Sequence, residues 1–391
     1  MISLEAARTL IAAAIEPLGT TTVPLAEARG RVLAEEVKAD AWYPSGDRAT
    51  MDGYVVRGDA EPGEFTVAGE IQAGAIPDAP LALGQAMRIF TGALVPEGGD
   101  VVVPQELVER EGDRVTIREL PGRRQFIRKK GSEAEPGAVI LPAGTRLGAT
   151  ELAMLAQVGA VEPRVTRLPV IRHLATGEEL VGPEEKPSVG MIRDTNSTLL
   201  AALVAEHGGA VMNSARCGDD PAALAAFCAE PCDLLLISGG ASVGDYDFGQ
   251  RVLRELGFTI HFDKVNLRPG KPLTFATKER QAAFVIPGNP VSHFVCFHVA
   301  IRLALELMAG GGVSWDWLEL PLAGGEALKP DARETCWPAR VEVEDGRLVA
   351  KPQRWSTSGD TFSLKRTNAL VLVNASSPME GVAKTLLLPP I

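Results

Sequence analysis

The chain has 391 residues, with 39 Lys+Arg against 50 Asp+Glu and a formal net charge of −11, and this balance lacks the basic face with which a nucleic-acid binder neutralises phosphates. Apolar residues make up 46% and charged residues 23%, which excludes disorder by composition, and the length implies about two to three domains. No uncharged apolar run approaches the roughly 18 residues of a membrane span, and Glu5 stands where a signal peptide carries its basic region, so the sequence reads as a cytoplasmic protein.

The first segment, 3–16, opens on the capping residue Ser3 and spaces Leu4, Leu10, Ile11 and Ile15 at helical intervals, which predicts a helix. A second helix is predicted over 149–158. Between 40 and 136, short runs at 65–71, 87–90, 100–104 and 114–120 alternate with Gly, Pro and Asp clusters, the pattern of a small β domain. Two helices flanking a β insertion predict a discontinuous N-terminal domain of 1–39 and 137–166 around an insertion of 40–136. From 167 to 311 the pattern alternates: strands at 168–175, 210–217, 232–240, 258–265, 272–277 and 282–287, and helices at 195–208, 220–230, 248–257 and 290–310. Continuous apolar strands in βα units predict a mostly parallel, three-layer α/β domain. Short strands return at 317–324, 336–345, 347–353 and 369–375, predicting a small C-terminal β-barrel or sandwich over 315–391. The fold class is therefore multidomain α/β and β.

The five cysteines, Cys217, Cys228, Cys232, Cys296 and Cys336, are odd in number and read as reduced thiols rather than a zinc site. His293 and His298 read as ordinary helix residues. In open α/β sheets ligands bind beyond the carboxyl ends of the strands. Three glycine-bearing loops follow strands, Thr176–Glu179, Ser238–Asp245 and Pro287–Pro290, and a fourth, Arg268–Lys271, precedes the strand at 272–277. Together they suggest a site for an anion or phosphoester. Gly239 to Gly244 has P-loop spacing, but Asp245 stands where that loop needs a Lys, so the motif is excluded. Asp245 and Asp247 suit a hydrated Mg²⁺ or, on a second reading, simply cap the helix starting near Phe248. Lys264, Arg268 and Lys271 supply cations for a substrate anion or form a solvated edge. The run Arg123 to Lys130 is the one local basic patch; with only Phe126 interleaved it reads as a surface strand and not as an RNA site.

The ordered motifs Thr50-Met51-Asp52-Gly53-Tyr54, Thr91-Gly92-Ala93 with Val95 to Gly98, Pro142 to Thr145, Thr176 to Leu180, Asp194-Thr195-Asn196, Ser238 to Gly244, Arg268 to Pro272 and Pro287 to Pro290 span nearly the whole chain. In them the chain resembles the MoeA family, the molybdopterin molybdenumtransferases, which include the E domain of gephyrin. The resemblance implies a homodimer of four-domain subunits that converts adenylated molybdopterin and molybdate to molybdenum cofactor and AMP with Mg²⁺. It also implies a site shared between subunits, with Asp52 and Thr91 reaching across the dimer.

On that resemblance Asp247, Asp245 and Asp52 are the expected metal ligands, Asp219 lies near the metal or nucleotide, and Glu179 holds the substrate. Lys264, Arg268, Lys271, Arg340 and Ser358 form the expected molybdate and pterin-phosphate pocket, with Gly239, Gly240, Ser242, Pro287 and Asn289 lining it and Thr91 beside Asp52. An upstream molybdopterin adenylyltransferase and acceptor molybdoenzymes are the implied partners; nucleic acid and membrane are not. Arg48, Ser132-Glu133 and Glu178 depart from the family's usual residues and leave open the choice of molybdate or tungstate. A gephyrin-like scaffold or cofactor carrier is the alternative reading, which the retention of Asp52, Asp247 and the three cations disfavours.

Overall fold

The computed structural model describes residues 1–218, 220–239, 248–313, 317–329, 331–375, 377 and 381–389. The chain forms two compact units, one of Met1–Glu35, Gly144–Gly148 and Glu162–Ile391, the other of Glu36–Ala143 and Ala149–Val161. The chain starts with helix α1 (Leu4–Ala14), capped by Ser3, whose Oγ accepts from the Ala6 N–H at 3.1 Å. This helix belongs to the first unit, and its buried stripe is Leu4, Ala7 and Ile11.

The second unit is built on a six-stranded sheet of β1 (Gly53–Arg57), β2 (Gly63–Ile71), β3 (Gln85–Ile89), β4 (Gly99–Pro104), β5 (Val108–Glu111) and β6 (Arg114–Ile117). The order is β4-β1-β3-β2-β6-β5, antiparallel except for the β2–β3 pair. Alternate residues feed two cores: Tyr54 and Val56 join Phe65, Val101, Val103 and Val115, whereas Val55 joins Ile71, Ile89 and Val102. Helix α2 (Ala149–Gln157) completes the unit. The basic run departs from the predicted surface strand. Only Ile127–Arg128 form a strand, and acids pair with three of the run's five cations: Arg123 with Asp100 (2.8 Å), Arg124 with Asp47 and Asp100, and Arg128 with Glu133 (2.8 Å).

In the first unit, a second sheet contains β7 (Ile171–Thr176), β8 (Val211–Cys217), β9 (Leu234–Ser238), β10 (Thr259–Phe262), β11 (Thr274–Lys278) and β12 (Gln281–Ile286), in the order β8-β7-β9-β12-β11-β10. Five strands run in one direction and β11 alone runs against them. Helices α3 (Asn196–Glu206), α4 (Pro221–Ala229) and α5 (Phe248–Glu255) connect the strands. Helix α6 (Pro290–Met308), with a π turn at Phe297–Ile301, is long and apolar enough to cross a membrane, but 94% of it is buried, so it is a core helix. The chain goes from β7 to β8 on one side and then to β9 on the other, which puts a topological switch point at β7/β9.

The C-terminal strands β13 (Trp317–Leu322), β14 (Glu334–Glu344), β15 (Arg347–Pro352), β16 (Ala369–Val373) and β17 (Gly381–Leu387) close into a five-stranded barrel, because β16 pairs with both β17 and β14. Trp337, Ala339, Ala350, Val371 and Ala383 fill it. β17 lies beyond the strands predicted from sequence and is the one that allows closure.

Candidate functional site

The carboxyl ends of β7, β9 and β12 converge at the switch point. Thr176 Oγ1 donates to the Ser238 carbonyl at 3.1 Å, and the Gly239 N–H donates to the Ile286 carbonyl at 3.0 Å. Gly239 has φ +88°, and a Cβ there would lie 2.6 Å from the Thr176 carbonyl oxygen and 2.7 Å from its Oγ1. Only glycine allows the two turns to approach so closely. A Cβ on Gly288, next to Pro287, would stand 3.8 Å from Gly239 Cα, so the third turn closes on the same point. Asn196 Nδ2, at the start of α3, donates to the Gly288 carbonyl at 2.7 Å. The Asp194 to Asn196 motif was the sequence signal for this strut, which carried no assigned role.

The barrel contributes the far rim. Asn289 Nδ2 donates to Ser358 Oγ at 2.9 Å, and the Val291 N–H donates to the Ser358 carbonyl at 3.0 Å. Trp355 Nε1 donates to the Thr357 carbonyl at 2.7 Å, and the Arg268 guanidinium lies over the Trp355 ring, 5.5 Å from its centroid. Arg268 also pairs with Asp331 at 3.1 Å. Hydrogen bonds from the Arg333 side chain and backbone, aided by the charges of Arg333 and Arg268, hold the Asp331 carboxyl below its ordinary range. Asp331 and Trp355 carried no sequence signal as partners of Arg268. Lys264 and Lys271 sit at the two ends of a short loop closed by the Val265 N–H donating to the Lys271 carbonyl at 2.9 Å, and neither forms an ion pair among the described residues.

The expected set is thus divided. Gly239, Pro287, Asn289 and Ser358 come together in one mouth at the strand ends, and Arg268 is tied to the Ser358 loop through the Trp355 ring, with Lys264 and Lys271 on its own loop. Glu179 is exposed after β7, its carboxylate folded back over Gly177. Arg340 stands on β14, paired with Glu342 at 3.0 Å, in a groove of about 500 Å³ shared with Lys351, Lys365 and Arg366; Ser358 is not among its lining residues. Asp219, Gly240, Ser242, Asp245 and Asp247 lie outside the described residues.

The second unit carries its own pair. Gly53 on β1 opposes Ile89 on β3, so Asp52 and Thr91, just beyond those ends, meet. The Thr91 N–H and O–H both donate to Asp52 Oδ1, at 2.8 and 2.7 Å, and they hold this exposed carboxyl ionised, below its ordinary range. A Cβ on Gly53 would come within 1.9 Å of the Val103 carbonyl oxygen, so the residue after Asp52 must be glycine. Arg48 donates to the Gly92 carbonyl at 2.6 Å, tying this departure from the family pattern to the Thr91 turn.

Beneath the mouth lies a buried group that the sequence did not reveal. Ser238 Oγ is 2.7 Å from both His173 Nε2 and His293 Nε2. Burial lowers both imidazoles to about 4, so both are neutral at neutral pH. His293 is therefore not an ordinary helix residue. Burial pushes the Cys296 thiol up to about 12, and no disulfide joins the described cysteines.

An open, largely parallel α/β sheet with three interlocked glycine turns at its switch point, joined to a closed β-barrel, defines a ligand-binding α/β domain. Residues 2–159 match the family described as MoeA N-terminal region (domain I and II), and residues 172–306 match that described as "Probable molybdopterin binding domain". The molybdopterin molybdenumtransferase of Nostoc sp. is 36% identical, covering 90% of this chain and 85% of that relative; that of Bacillus subtilis is 32% identical, covering 90% and 86%. The crystal structure of the molybdopterin biosynthesis moeA protein from Pyrococcus horikoshii OT3 superposes with a TM-score of 0.84 at 28% identity, over 99% of this chain and 100% of that one. The chain belongs to the molybdopterin molybdenumtransferase family, transferases of molybdenum cofactor biosynthesis.

Proposed function

We propose that this enzyme inserts molybdate into adenylated molybdopterin with Mg²⁺-dependent release of AMP, giving molybdenum cofactor. The observation that carries the reading is the meeting of the Thr176, Gly239 and Gly288 turns with Asn289 and Ser358, beside Arg268, Lys264 and Lys271. Backbone N–H groups and cations at such a mouth stabilise negative charge developing on phosphate and oxyanion oxygens. Arg268 is fixed by Asp331 and the Trp355 face, which orients a planar guanidinium for bidentate contact with an anion. Lys264 and Lys271, without acidic partners among the described residues, keep their charge available for substrate.

Among the described residues no three His, Cys, Asp or Glu side chains stand together as a metal cage. Mg²⁺ needs less, commonly one or two carboxylates with waters and phosphate oxygens, and the ionised Asp52 fits that donor chemistry. Asp52, Asp245 and Asp247 would hold it. When bound, the ion neutralises charge on the phosphate oxygens. Thr91 keeps Asp52 in its ionised form and in one orientation, through the two hydrogen bonds it donates.

The reading carries with it a cytoplasmic homodimer of four-domain subunits, 1–39 with 137–166, 40–136, 167–311 and 315–391. In it, Asp52 and Thr91 of one subunit serve the site of the other. Mixing inactive Asp52→Ala and Lys271→Ala subunits in equal amounts should restore about a quarter of the wild-type activity, because about half of the dimers are mixed and each mixed dimer holds one intact site. No recovery above the separate variants contradicts the shared site.

A further inference from the structure

The directions of the hydrogen bonds around Ser238 are fixed by their last member. His293 Nδ1 lies 3.1 Å from the Asn289 carbonyl oxygen, which can only accept, so Nδ1 carries the proton. In a neutral ring Nε2 is then an acceptor, and Ser238 O–H must donate to it at 2.7 Å. Ser238 Oγ in turn accepts from His173 Nε2–H at 2.7 Å, which leaves His173 Nδ1 to accept from Ser214 O–H at 3.2 Å. The chain runs one way, from Ser214 at the exposed face of β8 through two fully buried rings to Asn289. A carbonyl end cannot take up a proton, so the chain delivers none; what it fixes is position. The Asn289 carbonyl receives two donors, the His293 backbone N–H at 3.1 Å and the His293 ring.

We propose that His293, oriented by Ser238 and His173, is a positioning residue for the substrate mouth, pinning Asn289 so that the Gly288–Asn289 turn stays closed on Gly239 and on Ser358. This rests on the reading that the mouth binds the substrate. Two replacements separate the ring's two contacts. His293→Asn can place an amide where Nδ1 was and keep the bond to the Asn289 carbonyl, whereas His293→Gln reaches Ser238 and gives that bond up.

The first test needs no variant: nitrogen NMR of the full-length protein should find His293 protonated on Nδ1 only and His173 on Nε2 only. Any other pairing, or a charged ring at neutral pH, overturns the proposal. The second is exchange of the Val291 amide, whose acceptor is the Ser358 carbonyl. It should quicken at least about tenfold in His293→Gln and stay within about threefold of wild type in His293→Asn. In AMP release from adenylated molybdopterin with molybdate and Mg²⁺, the Gln variant should raise KM about tenfold with kcat within about twofold, and the Asn variant should stay close to wild type. Equal effects of both variants, or none from either, overturn the proposal. If the wild-type protein releases no AMP, the proposed reaction fails, and the NMR and exchange results still decide the positioning role.

Discussion

Gly239→Ala tests whether the convergence of turns is as close as described. The new Cβ would sit 2.6 and 2.7 Å from the Thr176 carbonyl oxygen and Oγ1, on a residue at φ +88°. Left-handed backbone costs a non-glycine residue about 1–2 kcal/mol. Relieving the clash must move the Thr176 turn and break the Thr176 to Ser238 hydrogen bond, worth about 0.5–1.5 kcal/mol more, so the local loss is about 1.5–3.5 kcal/mol. Gly30→Ala is the matched control, at φ +76° with nothing within 4 Å of its Cβ. Both changes reduce the freedom of the unfolded chain equally, so that term cancels in the comparison. Native-state hydrogen exchange over Leu234–Ser238, read as an opening free energy, should fall by at least about 1 kcal/mol more in Gly239→Ala than in the control, with AMP release falling alongside. A loss no larger than that of Gly30→Ala refutes the close approach.

The buried pair Arg302–Glu306, 3.0 Å apart with the two residues 7% and 4% exposed, makes Glu306→Gln cost about 3–5 kcal/mol in urea unfolding, because it takes the Glu306 charge away from a buried guanidinium; the double change Arg302→Met, Glu306→Leu should recover at least half of that loss. A cost under about 1 kcal/mol for the single change contradicts the pair's burial. His173 and His293, lowered by burial from 6.5 to about 4, stay neutral in the fold while unfolded histidine takes up a proton. Stability should therefore fall as pH drops from 6.5 towards 4, by up to about 1.4 kcal/mol per pH unit per ring, and His293→Asn should flatten that slope; an unchanged slope removes His293 from the account. Asp52 works in the opposite sense: held below 3.8 by Thr91, its contribution is present above pH 3.8 and lost as pH falls through the lower folded value. The Thr91 amide shift should titrate with a midpoint below 3.8, moving up when Asp52 loses the hydroxyl in Thr91→Ala; a wild-type midpoint at or above 3.8 refutes the pairing.

Sequence pattern revealed much of this architecture because apolar period and turn chemistry are local. The unbroken run Leu234–Ile237 marks a strand covered on both faces, and Ser3 and Pro221 mark helix starts. Direction is not local: nothing in the composition of β11, Thr274–Lys278, says that it runs against its neighbours. The barrel's closing strand β17 was hidden because its buried positions include Ala383 and Thr385, a weak alternation. The residues of the mouth were legible as motifs, but their pairing was not. Asp52 meets Thr91 only through the register of β1 on β3, and Asn289 meets Ser358 across 69 residues of chain. His293 was misread for a related reason: in a helix buried on nearly every side, helical period cannot single out the face that meets Ser238, 55 residues earlier.

The central claim is the reaction, and AMP release from adenylated molybdopterin by the purified full-length protein with Mg²⁺ tests it most directly, comparing molybdate, tungstate and no added oxyanion. The account predicts release that depends on molybdate and is lost in Lys271→Ala. Tight binding of the substrate with no oxyanion-dependent release would contradict it and favour a carrier.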